Sequence, residues 1–91
     1  MLEIDILDDA QRFLALLPAK HARQVLQKID FLAANPLVAR SKQLEGFAPW
    51  RRYRSGNYRM IYFVEGNFLK VVLIDKRNDD AIYRQLKRMF R

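Results

Sequence analysis

The chain has no cysteine, three glycines, three prolines, one tryptophan and one histidine. Without cysteine there is no disulfide framework and no thiolate metal site. Three glycines leave no Gly-rich loop to cradle a nucleotide phosphate. His21 has no second histidine, cysteine or carboxylate at ligand spacing. It reads as a surface residue, and the sequence predicts neither a metal nor a cofactor. So little glycine and proline in a chain that is 51% hydrophobic excludes a disordered or fibrous polypeptide. No apolar run is long enough to cross a bilayer, and the opening MLEIDILDDA has acids where a signal peptide has bases. A cytoplasmic chain without a membrane partner is expected. Acidic groups are the scarcer charge: ten Asp+Glu stand against seventeen Lys+Arg, a formal net charge of +7. Such an excess favours nucleic acid, an acidic protein or an anionic surface as partner. The first 35 residues are close to neutral, so the remainder carries the field.

Ninety-one residues set the scale of one domain, residues 1–91, with a small core. Residues 2–7, LEIDIL, alternate apolar and acidic, which predicts a strand with Leu2, Ile4 and Ile6 inward. Asp8 and Gln11 stand at N-cap and capping-box positions. Ala10, Phe13, Leu14 and Leu17 recur at helical spacing up to Pro18. Ala22, Val25, Leu26, Ile29, Leu32 and Ala33 form a second stripe, which Asn35-Pro36 ends. Two amphipathic helices so closely joined form an antiparallel hairpin. Residues 36–48 show no period and read as irregular. Residues 68–74, FLKVVLI, predict a central strand covered on both faces. Asn78 or Asp79 then caps a last helix with Ile82, Leu86, Met89 and Phe90 at helical spacing. Strands and helices do not alternate. The class is therefore α+β: an N-terminal strand, an αα-hairpin on one face of a mainly antiparallel four-stranded sheet, and a C-terminal helix. The opposite face of the sheet is expected to be basic.

Residues 50–64, WRRYRSGNYRMIYFV, hold the densest charge. Read with period two they form a hairpin. If Ser55-Gly56 is its two-residue loop, Arg54 pairs with Asn57 and Arg52 with Arg59. Arg52, Arg54 and Arg59 then share one face. Opposed like charges cost up to about 1 kcal/mol on a sheet. Such a face is either a solvated one or a grip for polyanions.

The residues available for chemistry are basic and aromatic: Arg51, Arg52, Tyr53, Arg54, Tyr58, Arg59, Lys76, Arg77 and Tyr83. They suit one reaction. RNA carries its own nucleophile, the 2′-hydroxyl. Cleavage needs a base for that hydroxyl, cations for the crowded phosphorane and a proton for the leaving 5′-oxygen. Arginine serves the second need with planar, bidentate donors. A tyrosine among cations serves the first. Each residue also has a plainer reading: Tyr58 and Tyr62 as core aromatics, Tyr83 as a packed ring with a bonded hydroxyl, Arg77 as a partner of Asp75 or Asp79.

The string QLEGFAPWRRYRSGNYRMIYFVEGNFLKVVLIDKRNDDAIY resembles the signature region of the RelE/ParE superfamily of bacterial toxins. The lead-in is Lys42-Gln43-Leu44-Glu45-Gly46. The hairpin runs from Tyr53 to Tyr62 with Arg54, Gly56, Tyr58 and Arg59 in place. A basic pair, Lys76-Arg77, and later Tyr83 follow. The predicted element order suits that fold, so the resemblance spans nearly the whole chain. It implies the toxin of a type II toxin–antitoxin system. One branch, RelE-like, comprises metal-independent endoribonucleases that cut mRNA on the ribosome. The other, ParE-like, inhibits DNA gyrase without cutting RNA. A third reading is a non-catalytic basic module that binds RNA or the ribosome. On the RelE-like pattern, Arg59 contacts the phosphate, Arg77 stabilises charge or assists the leaving group, and Tyr83 is the base. Arg51, Arg52, Arg54 and Lys76 bind the RNA backbone. One position where that branch has lysine falls on Trp50, or on Arg51 if the register slips, and a guanidinium does not deprotonate in proteins. The implied partners are the ribosome, mRNA and a cognate antitoxin with an acidic, partly disordered segment. Through the antitoxin, a higher-order complex on operator DNA is also implied.

Overall fold

The β-prone runs of the second half pair into one sheet, and the helices settle on both of its faces. In the computed structural model, residues 1–46, 49–76 and 79–89 are described, Asp79 by its backbone alone. The elements are β1 (Glu3–Ile6), α1 (Asp8–Ala15), α2 (Ala19–Ala34), β2 (Lys42–Gln43), β3 (Arg51–Ser55), β4 (Tyr58–Glu65), β5 (Phe68–Asp75) and α3 (Asp79–Met89). The strand order is β1-β5-β4-β3-β2. Among the described residues, β1 and β5 run parallel and the other pairs are antiparallel. The α+β class and the element order are as the sequence predicts. The sheet has five strands rather than four, because β2 forms inside the stretch expected to be irregular. Two residues are too few to show an alternation. The apolar run of β5 is interior, between β1 and β4, while β4 takes the middle position.

The αα-hairpin covers one face. Ala10 of α1 and Val25, Ile29, Leu32 and Ala33 of α2 bury against Tyr53, Met60, Tyr62, Leu69, Val71 and Ile74. These are the residues whose spacing marks the apolar stripes. Leu26, at the edge of its stripe, stays 40% exposed. The other face is not simply a basic surface, contrary to expectation. Ile82 and Leu86 of α3 bury there against Leu44, Ile61, Val72 and Leu73, with Leu7, Trp50, Phe63, Tyr83 and Met89 around them. Each large side chain so buried stabilises the fold by about 1.5–3 kcal/mol. The second core forms because α3 has an apolar stripe of its own and the first face is already taken by α1 and α2.

Helix boundaries follow the punctuation with one correction. Pro18 is the N-cap of α2 and Asn35 its C-cap. At α1 the N-cap is Leu7, without a side-chain cap, and not Asp8. Gln11 does not close a capping box: its side-chain amide donates to the Ile6 carbonyl at 2.7 Å. Asp8 and Asp9 instead lie in the first turn, where carboxylates favour the helix dipole. The expected cap at Asn78 and the inward Phe90 lie outside the described residues. No helix among the described residues is long and apolar enough to cross a membrane.

Candidate functional site

The hairpin of β3 and β4 turns at Gly56-Asn57, not at Ser55-Gly56: Ser55 pairs with Tyr58. Gly56 has φ +58°, and among the described residues none other than glycine has positive φ. That suits a type II′ turn, which takes glycine at its first central position. The next turn uses the same dipeptide, with Gly66 at φ +59° and Glu65 paired with Phe68. Moving the loop by one residue moves the pairing by two. Arg54 therefore faces Arg59, and Arg52 faces Ile61. A shift of two preserves the alternation, so Arg52, Arg54 and Arg59 still share a face. The opposed like charges are Arg54 and Arg59, not Arg52 and Arg59.

Two rows of side chains cross that face. Lys42, Arg52, Ile61 and Leu73 follow one another from β2 to β5. Arg54, Arg59 and Asp75 form the second row, from β3 to β5. Arg54 is exposed, and Arg52 and Arg59 are half-buried. The Nε of Arg59 is buried and makes no hydrogen bond, while the residue has other contacts. Asp75 stands beside Arg59 at the end of its row. Tyr83 reaches the same side of the sheet from α3, half-buried against the second core. It also lines a cleft of about 420 Å³ with Glu45, Asp80, Arg84 and Lys87. Trp50 stacks on Phe63, with ring centroids 6.1 Å apart. The tryptophan at the position where lysine was expected is thus a packing residue.

Arg51 and Lys76 do not join this group. Arg51 has the opposite parity on β3. Its Nε donates to the Ser41 hydroxyl at 3.0 Å, and one terminal nitrogen donates to the Ser41 hydroxyl at 2.8 Å and carbonyl at 3.1 Å. Lys76 lies over the Tyr58 ring, 5.7 Å from its centroid, on the α1–α2 side. The Tyr58 hydroxyl and His21 Nδ1 are 3.0 Å apart, so His21 ties α2 to the hairpin rather than standing free. Tyr62 is fully buried and donates its hydroxyl hydrogen bond to the Pro36 carbonyl. Tyr58 and Tyr62 are core-side aromatics, as their plainer reading has it. Arg77 lies outside the described residues. Lys42, the first residue of the family lead-in, stands opposite Arg52; a two-residue strand leaves no alternation from which that pairing can be read.

Taken together, the geometry is that of a small cationic α+β domain in which Lys42 of β2 and the arginines of the hairpin share the sheet face that also receives a helix-borne tyrosine. The family model of the ParE toxin of type II toxin–antitoxin systems, parDE, matches residues 4–81. The chain belongs to this family and is a toxin of a type II toxin–antitoxin system. Solved structures agree on the fold. The chain is similar to the archaeal RelE–RelB complex of Pyrococcus horikoshii, with 27% identity and TM-score 0.71, covering 86% of this chain and 97% of that one. The RelBE2 toxin–antitoxin complex of Mycobacterium tuberculosis gives 24% identity and TM-score 0.73, covering 84% and 98%. The isolated RelE toxin of E. coli gives 17% identity and TM-score 0.72, covering 99% and 100%. A search of curated proteins finds no significant match. The superfamily resemblance and the RelE-like fold expected from the sequence are both met.

Proposed function

We propose that this toxin is a ribosome-dependent mRNA endoribonuclease that cleaves by attack of the 2′-hydroxyl and so inhibits translation. The observation that carries the reading is the common face of Lys42, Arg52, Arg54 and Arg59, with Tyr83 on the same side. Arg52 and Arg54 hold the RNA backbone. Arg59 stabilises the phosphorane, joined by Arg77. Tyr83 takes the 2′-hydroxyl proton, and the 5′-oxygen leaves with a proton, giving a 2′,3′-cyclic phosphate and a 5′-hydroxyl. Lys42 supplies the ammonium that the hairpin strand itself lacks, and so is a source for that proton. Arg51 has no part in the step, since it is committed to Ser41 on the other face. Phenol and guanidinium are weak proton-transfer groups at neutral pH. The reaction therefore relies on the ribosome to align the 2′-oxygen with the phosphate.

A cognate antitoxin holds the toxin inactive through an acidic segment that orders on binding. Several similar structures are toxin–antitoxin complexes, which supports such a partner. The protein acts in the cytoplasm, and the antitoxin carries the complex to operator DNA. The ParE family match favours a second reading, inhibition of DNA gyrase by binding. One pair of assays separates them. Purified toxin is added to ribosomes programmed with a defined mRNA, and in parallel to gyrase with relaxed plasmid. The nuclease reading expects cut mRNA and unimpaired supercoiling. Intact mRNA with inhibited supercoiling overturns it in favour of the second.

A further inference from the structure

The cleft between α3 and the turn after β2 is a second feature of the same region. Its walls have a polarity. Glu45 and Asp80 offer carboxylate oxygens, Arg84 and Lys87 offer cations, and the half-buried Tyr83 lies with them. Residues 80, 83, 84 and 87 follow i, i+3, i+4, i+7 spacing, so they form one stripe of α3. Ile82 and Leu86 anchor that helix in the core. Glu45 follows an anchored residue. Leu44, the residue before it, is 2% exposed, and its N–H donates to the Trp50 carbonyl at 2.9 Å. A charged helix face is ordinarily solvated and cross-paired, and Asp80 and Arg84 stand at the spacing for such a pair. Among the described residues, however, Glu45, Asp80, Arg84 and Lys87 make no ion pairs. Opposite charges line one cleft without cancelling each other.

We propose that this cleft is a nucleotide subsite that selects guanine in single-stranded RNA. A volume of about 420 Å³ is in the range of small-molecule sites. The tyrosine ring is a stacking wall for a base. Arg84 and Lys87 suit the phosphate. Glu45 sets the base. Guanine alone has two adjacent donors on its pairing edge, N1–H and N2–H, which match the two oxygens of one carboxylate. Adenine and cytosine place an acceptor beside their amino group, and uracil flanks its single N–H with two carbonyls. Each of these sets an acceptor against the carboxylate. Asp80 has a separate role at the start of the helix, so Glu45 is the discriminating residue. The inference rests on the nuclease reading for its purpose, because the subsite shares Tyr83 with the proposed chemistry. It places the specificity of cutting in the protein.

Binding is tested apart from cleavage. The four 5′-nucleoside monophosphates are titrated into the toxin and followed by amide chemical shifts. GMP is expected to bind at least about fivefold more tightly than AMP, CMP or UMP, the scale of one bidentate base contact. The shifts should centre on residues 44–46 and 80–87. Glu45→Gln, at an exposed site, keeps the fold and should erase the preference, while Lys87→Ala should weaken all four nucleotides alike. On programmed ribosomes, Glu45→Gln should lose any bias toward guanine while still cutting. Equal binding of the four nucleotides, shifts away from the cleft, or a preference that survives Glu45→Gln overturns the inference. A GMP preference in a protein that cuts no mRNA upholds the subsite and removes the nuclease reading. Cleavage indifferent to guanine does the reverse.

Discussion

Arg51→Ala separates structural from functional arginine. The Arg51 guanidinium reaches two acceptors, the hydroxyl and the carbonyl of Ser41, and Ser41 is only 5% exposed. The Ser41 hydroxyl in turn lies 2.8 Å from the Val38 carbonyl. The contact thus pins the segment after α2 to β3. A hydrogen bond from a charged donor contributes about 1.5–3 kcal/mol net. Two acceptors share one half-buried guanidinium, and water replaces part of what is lost, so removal should cost about 2 kcal/mol. With a urea m-value of about 1–2 kcal/mol per molar for a domain of this size, the midpoint should fall by about 1–2 M. Arg54→Ala is the matched control. Arg54 is exposed and directly opposite Arg59. Its removal should leave stability within about 0.5 kcal/mol, on the favourable side because a like-charge pair is relieved. Activity should respond in the opposite order: Arg54→Ala impairs RNA cutting, and Arg51→Ala cuts normally below its melting temperature. An Arg51→Ala protein that unfolds at the wild-type urea midpoint, or an Arg54→Ala protein as unstable as it, would refute the division.

Leu86→Ala should destabilise the protein by about 2–5 kcal/mol, measured by urea unfolding, because Leu86 is fully buried between α3 and the sheet; a loss under 1 kcal/mol would mean that α3 is not docked. Gly56→Ala should cost about 1 kcal/mol or more in the same assay, since the residue sits at φ +58° with nothing within 4 Å of an added Cβ; the cost is conformational, so Gly56→Asn should recover part of it. Antitoxin association should slow as salt rises, chiefly in the on-rate, and an on-rate indifferent to ionic strength would show that the basic face is not engaged.

The elements were legible where their period was long enough. The stripe of α1, that of α2 apart from Leu26, that of α3 as far as Met89, and the runs of β4 and β5 form as read. The shared face of Arg52, Arg54 and Arg59 was legible even with the wrong loop, because parity survives a shift of two. The Gly56-Asn57 turn does carry a sequence signal: the same dipeptide recurs ten residues later, at Gly66-Asn67. Arg51 resembles its neighbours in type, but alternation alone sets it on the other face. β2, and with it Lys42, was not legible, since a two-residue strand is defined by its partner. Nor does an apolar stripe on α3 say which face of the sheet is free to receive it. That depends on α1 and α2 having filled the other.

In the proposed nuclease step, the face of Arg59 stabilises a phosphorane formed by the 2′-oxygen of the message. Single-turnover cleavage on programmed ribosomes tests it, with wild type and Arg59→Ala on an all-ribose message and wild type on one with a 2′-deoxy nucleotide at the cut. The expected result is a 2′,3′-cyclic phosphate and a 5′-hydroxyl from the wild type, a rate about 100-fold lower for Arg59→Ala, and no cut in the deoxy message. Cleavage of the deoxy message, or Arg59→Ala cutting at the wild-type rate, would contradict it.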